Sequence, residues 1–149
     1  MKIVIVSDSH GDNGALQKVY LKEYDAEVFL HAGDSVSPSE SIAPFVGVRG
    51  NCDGPFREDY SLFRLIKTPF GLLRIQHYPL FGASSFNDLK SEGVAIFIHG
   101  HTHIQEEKEV NGVKIFCPGS VSFPRDNEKG TYLVLDVSPS SVLATFKTL

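Results

Sequence analysis

The sequence predicts an α/β protein in which two β-sheets pack face to face with helices outside. Three observations carry this reading. In the first third of the chain, β-branched runs alternate with polar turns and helical segments, the rhythm of strands joined by crossovers. Later runs are joined by tight turns such as Asn111-Gly112, the rhythm of hairpins. The chain has 149 residues, 42% of them hydrophobic, which suits one domain (1–149) with a substantial core.

The elements follow in order. Lys2 to Val6 is a β-branched run, so a buried central strand, ending at Ser7-Asp8-Ser9-His10-Gly11. A helix is predicted over roughly Gly14 to Glu23. Asp12 or Asn13 caps it, and Leu16, Val19 and Tyr20 share one face. Glu27 to Leu30 is a second strand ending at His31-Ala32-Gly33-Asp34. Ser35 to Ala43 is polar, contains Pro38 and has room for a short helix. Phe45 to Val48 reads as a third strand, ending at Arg49-Gly50-Asn51-Cys52-Asp53.

Leu62 to Ile66 and Leu72 to Gln76 flank Thr68-Pro69-Phe70-Gly71 as a hairpin, and the second of these strands ends at His77. Ser84 to Ser91 suggests a short helix. Val94 to Ile98 is an apolar strand running into His99-Gly100-His101-Thr102-His103. Ile104 to Val110 and Val113 to Phe116 pair across Asn111-Gly112, and Tyr132 to Val137 pairs with Ser141 to Phe146 around Pro139. There is no internal repeat, linker or low-complexity tract.

Composition narrows the function. The net charge is −4 and no long basic stretch exists, which argues against stable binding of long nucleic acid. Two cysteines, Cys52 and Cys117, cannot form a disulfide framework and read as free thiols of a reducing compartment. No signal peptide or membrane-length apolar run is seen, so a cytoplasmic protein without a membrane partner is expected.

Polar groups stand at five strand ends: Asp8 with His10, Asp34, Asn51, His77, and His101 with His103. In open α/β sheets, ligands bind beyond the carboxyl ends of strands. Glycines beside these groups (Gly11, Gly33, Gly50, Gly100) permit sharp turns and close approach. Imidazole is the commonest metal ligand, and two histidines separated by one residue can reach neighbouring points where the chain bends.

Asp8-Ser9-His10, Gly33-Asp34, Gly50-Asn51-Cys52-Asp53, His77 and Gly100-His101-Thr102-His103 occur in that order. In this the sequence resembles the calcineurin-like metallophosphoesterase superfamily. Its Gly-Asn-Cys-Asp variant, Pro118-Gly119-Ser120 and Pro124-Arg125 resemble the small prokaryotic phosphodiesterases of that family. The resemblance spans Lys2 to about Arg125. It implies a four-layer fold, a two-sheet sandwich flanked by helices on both sides.

The resemblance also implies two divalent metal ions, manganese foremost, with iron, zinc, cobalt or nickel as alternatives suited to nitrogen and oxygen donors. Asp8, His10, Asp34 and His103 would hold one ion. Asp34, Asn51, His77 and His101 would hold the other, with Asp34 as bridge. Such a pair clamps a small phosphodiester and activates water for hydroxide attack at phosphorus, in line with the leaving alkoxide.

Asn51, Cys52 and His77 are the residues placed nearest the chemistry. Many relatives carry His, as acid or donor, where Cys52 stands; Cys52 is then either a weak donor or a packing residue. Asp53 orients neighbours. Arg49 and Arg125 touch phosphate or form salt bridges, and Cys117 is a buried apolar residue. His31 and His99 lie outside the metal set. His77-Tyr78-Pro79 departs from the His-Gly-His of many relatives, and proline redirects that loop. The runner-up function is a scaffold like the family's retromer subunit, which has lost part of its metal set. Here every ligand position is filled. Self-association of the chain is left open.

Overall fold

The computed structural model describes residues 1–149. The elements are β1 (Lys2–Val6), α1 (Asn13–Lys22), β2 (Val28–His31), β3 (Val46–Gly47), β4 (Phe63–Thr68), β5 (Gly71–Gln76), α2 (Ala83–Ser91), β6 (Val94–Ile98), β7 (Gln105–Val110), β8 (Val113–Pro118), β9 (Thr131–Val137) and β10 (Val142–Thr148). Short 3-10 turns cover Ser39–Ile42 and Gly54–Phe56. The strands form two five-stranded sheets, in the orders β10-β9-β1-β2-β3 and β4-β5-β6-β8-β7.

Period-two patterning explains the layers. In β1, Ile3 and Ile5 point between the sheets, where they join Leu30, Leu73, Ile75, Ile96 and Ile98 in the central core. Val4 and Val6 point the other way and pack with Ala15, Leu16 and Val19 of α1. In β9, Leu133 and Leu135 face inward, whereas Tyr132 and Val134 face the α1 layer. On the far side, Phe86 and Leu89 of α2 cover Phe97, Val113 and Ile115. Each such buried aliphatic or aromatic side chain contributes about 1.5–3 kcal/mol. The two-sheet sandwich with a helix on either face is thus the predicted four-layer architecture. No helix is long and apolar enough to cross a membrane.

Local chemistry sets the ends. Asp12 caps α1, its Oδ1 accepting the Ala15 N–H at 3.1 Å. Asn111 and Gly112 adopt φ of 52° and 83°, the left-handed pair that a two-residue hairpin needs. The third strand is shorter than its apolar run predicts. Val48 N–H still donates to His31 O, but Arg49 N–H turns away to Ser61 O, and the ladder stops there.

β1, β2 and β3 run parallel in one sheet, and β5, β6 and β8 run parallel in the other. Their carboxyl ends meet at one edge of the sandwich. The loops after β1 and β2 are joined by Asp8 N–H to Gly33 O, and those after β5 and β6 by Gly100 N–H to His77 O. Val121 N–H to Ser7 O ties in the loop after β8.

Candidate metal centre

Asp8 is fully buried at the end of β1. Its Oδ2 accepts from the Ser7 hydroxyl and from the His101 N–H at 3.1 Å. Its Oδ1 is buried with no hydrogen-bond partner, and so is His10 Nε2. Desolvated polar atoms without partners are costly, so two of them facing one point indicate a place for a cation. His103 Nε2 lies 3.3 Å from Asp8 Oδ1, and His10 Nε2 lies 3.9 Å from it.

The histidine orientations are fixed from behind. His77 Nδ1–H donates to Ala32 O at 2.8 Å, and His103 Nδ1–H to Phe123 O at 2.7 Å. Both Nε2 atoms therefore point at the centre, as the carbonyl behind a metal-binding imidazole requires. His77 Nε2 sits 2.9 Å from Asn51 Oδ1, and His101 Nδ1 sits 3.2 Å from the same oxygen. Asn51 Nδ2 donates to Cys52 Sγ at 3.4 Å, which turns Oδ1 inward. With Nδ1 of His77 already donating, its Nε2 and the amide oxygen need a positive charge between them, a proton or a metal.

Asp34 sits between these groups. Its Oδ2 is 3.4 Å from His77 Nε2 and 3.9 Å from His10 Nε2, while its Oδ1 accepts the Cys52 N–H at 2.8 Å. Burial opposes its charge, but the His77 imidazole and the Cys52 amide hold the carboxyl at about 2. His77 shows the converse: burial opposes its charge, and Asp34 and Asp8 raise it above the usual imidazole range.

The donor set fits a metal. With metal–ligand bonds of about 2.1 Å, adjacent donors in octahedral or tetrahedral shells lie roughly 3.0–3.4 Å apart. The spacings of 3.2, 3.3 and 3.4 Å fall in this range and 2.9 Å lies just below it, while His10 Nε2 stands wider, 3.9 Å from both Asp8 Oδ1 and Asp34 Oδ2. Asp8, His10 and His103 form one group whose ligand atoms lie within 4.8 Å of one another, and Asp8, Asp34 and His77 form another. All seven residues singled out for metal binding in the sequence therefore converge.

Glycine is required where these loops cross. A Cβ at Gly50 would overlap Asp34 Oδ1, and one at Gly100 would overlap Ser7 Oγ and lie 2.9 Å from Asp8 Oδ2. Conversely, Asp8, His10, Asp34, His101 and His103 are non-glycine residues with φ between 46° and 73°. Such left-handed conformations cost of order 1–3 kcal/mol each and cluster at functional sites.

Asp53 is fully buried and orients its neighbours as expected. Its Oδ2 accepts from the N–H groups of Asp34 (2.9 Å) and Gly50 (2.7 Å), and its Oδ1 accepts from Val36 N–H (2.9 Å). His31 stays outside the centre. Gly33 N–H donates to its Nδ1 at 3.0 Å, so Nε2–H donates to Ser9 Oγ at 2.8 Å. Burial and the neighbouring His77 push its imidazole down to about 3.

Cys117 is buried, and burial pushes its thiol up to about 12. Cys52 is exposed, so it is not a packing residue; its sulfur lies within 4.8 Å of His10 and Asp34 donors. Partial desolvation of the sulfur where it faces the centre, and the Asp34 carboxylate beside it, raise its thiol above the usual range, which keeps the proton on sulfur at neutral pH. Neither Arg49 nor Arg125 forms an ion pair; Arg125 Nη1 instead donates to Thr102 O at 3.4 Å.

Three contributors were given no role at the centre from the sequence. Ser120 Oγ–H donates to Asp8 O at 2.8 Å and accepts Phe123 N–H at 2.7 Å, locking the β8–β9 loop to the centre. Phe123 supplies the carbonyl behind His103, and its ring meets His10 edge-on at 5.8 Å. Tyr78 lies 5.0 Å from the His101 ring and 5.3 Å from His77. Pro118-Gly119-Ser120 and His77-Tyr78-Pro79 carried a sequence signal for Ser120 and Tyr78; nothing in the sequence marked Phe123.

The calcineurin-like phosphoesterase superfamily domain matches residues 1–140. Phosphodiesterase YfcE of Escherichia coli K12 is 28% identical over 97% of this chain and 92% of its own length. A conserved protein of Streptococcus pneumoniae TIGR4 superposes with TM-score 0.83 at 24% identity, covering 99% of this chain and 88% of that one. Vps29 of Chaetomium thermophilum superposes with TM-score 0.76 at 14% identity, covering 100% and 95%. These last two show likeness of fold. Members of the matched family typically bind divalent metals, which agrees with the donors gathered here. The chain belongs to the calcineurin-like phosphoesterase superfamily.

Proposed function

We propose that this protein is a dinuclear, metal-dependent phosphodiesterase acting on small phosphate diesters. The observation that carries the reading is the position of Asp34 Oδ2, 3.9 Å from His10 Nε2 on one side and 3.4 Å from His77 Nε2 on the other. One oxygen between two donor groups suits a bridge. Asp8, His10, Asp34 and His103 hold the first ion in this reading, and Asp34, Asn51, His77 and His101 the second. The nitrogen and oxygen donors suit manganese first, then iron, zinc, cobalt or nickel. When bound, such ions lower the pKa of water and neutralise phosphate charge.

The chain's own groups do the rest. Ala32 and Phe123 carbonyls aim the imidazoles, Asp53 fixes the backbone under Asp34, and Arg125, which has no carboxylate partner and donates to Thr102 O beside the centre, is the arginine available to phosphate. Cys52 presents a protonated but weakly donating thiol beside His10 and Asp34, which favours leaving groups that need little protonation. The complete donor set supports catalysis over a scaffold role, in which part of the set is dispensable.

The test is a panel of diesters and monoesters assayed with chelated protein reloaded with each metal. Diesters are expected to turn over and monoesters to lag. In the same assay Asp34→Ala should lose both metal retention and turnover. A variant that keeps two ions per chain and near-normal turnover would overturn the bridge.

A further inference from the structure

His99 precedes the Gly100-His101-Thr102-His103 motif and takes no part in the donor set, yet it is 2% exposed. Its Nε2 lies 3.0 Å from Glu106 Oε1 on β7, and its Nδ1 lies 2.9 Å from Gly100 O. Both partners of the ring are acceptors. A proton therefore lies between Nε2 and the carboxyl, whichever group carries it, and Nδ1–H donates to the Gly100 carbonyl.

That carbonyl also accepts Thr102 N–H at 2.9 Å, which closes a three-residue turn around His101. His101 has φ of 73° at the centre of that turn. Turns of this kind with positive φ are rare and strained. The other end of the same peptide unit, His101 N–H, donates to Asp8 Oδ2 at 3.1 Å. The Gly100–His101 peptide is thus held at its carbonyl by His99 and Thr102 and at its N–H by Asp8. The His101 ring leaves this peptide toward Asn51 Oδ1, 3.2 Å from its Nδ1.

We propose that His99 and Glu106 are positioning residues: a strut of a buried imidazole and a half-buried carboxylate that holds the strained His101 turn and so places His101 Nδ1 for the second metal ion. The metal half of this inference rests on the two-ion reading above; the turn half does not. Partners of this kind behind a ligand typically change metal affinity 10- to 100-fold.

The experiment compares His99→Leu, which removes the donor to Gly100 O, with His99→Asn, whose amide can replace Nδ1–H. Calorimetric titration of chelated protein with Mn²⁺ reads each binding step, with His101→Ala marking the step that His101 serves. His99→Leu should weaken that step about 10- to 100-fold, leave the other within about twofold, and be largely rescued in His99→Asn. Glu106→Ala, on an edge strand, should weaken the same step by a smaller factor, and it serves if His99→Leu does not fold.

Amide hydrogen exchange of Thr102 in metal-free protein reads the turn itself. Exchange should be faster in His99→Leu and near wild type in His99→Asn. Unchanged Mn²⁺ affinities and unchanged Thr102 exchange in folded His99→Leu or Glu106→Ala would overturn the proposal. Wild-type protein that binds a single ion would instead overturn the two-ion reading, with Thr102 exchange still deciding the strut.

Discussion

Asp53→Ala should destabilise the protein far more than loss of a non-ligand carboxylate normally does. Asp53 is 0% exposed and accepts from the N–H groups of Asp34, Gly50 and Val36 at 2.7–2.9 Å. Alanine leaves all three donors facing a small cavity. Hydrogen bonds to a charged group contribute about 1.5–3 kcal/mol each, and bonds that share one acceptor group are not additive. A loss of about 3–6 kcal/mol follows, a large part of the ~5–15 kcal/mol that holds a typical domain together. Asp53→Asn keeps one oxygen but turns an NH₂ toward an N–H, so its cost should be smaller, about 1–3 kcal/mol. Urea unfolding of chelated protein, followed by circular dichroism, measures both. Asp53→Ala lying within about 1 kcal/mol of wild type would refute the reasoning, since it would mean that the loop re-pairs its amides at little cost.

Chelation should abolish activity but leave the circular dichroism spectrum largely intact, because three apolar layers build the core without the centre; loss of most secondary structure would make the metals structural. A thiol reagent should titrate one cysteine in native protein and two after denaturation. Cys52 is exposed while Cys117 is buried with its thiol at about 12, and a second native equivalent would contradict that burial. In metal-free protein, Asp34 is depressed from 3.8 to about 2. Its contribution to stability is therefore full above about pH 3.8 and is lost as pH falls toward 2. Melting temperature should fall more steeply over that window in wild type than in Asp34→Asn, and parallel curves would remove the effect.

Strand positions were legible because β-branched runs and an Asn-Gly turn encode them over a few residues. Lys2–Val6 and Val94–Ile98 have the ends that the apolar runs predict. The order of the site motifs was legible too, since each donor follows a strand end and all but His77 have a glycine nearby. The third strand was not. Its run continues to Val48, but Arg49 N–H finds Ser61 O, a partner that only the approach of the β4 segment supplies.

The sequence could name Asp8, His10 and Asp34, but not that Asp8 Oδ1 and His10 Nε2 would be left without partners while Asp8 Oδ2 was occupied. Nor could it assign the Phe123 carbonyl to His103 or the Ser120 hydroxyl to Asp8 O. Patterning and turn propensity act within one element, where neighbours along the chain decide the outcome. The aim of each donor is set by groups from the opposite sheet or from loops as distant as Ser120 is from Asp8, and those meet only when the two sheets close on their shared core.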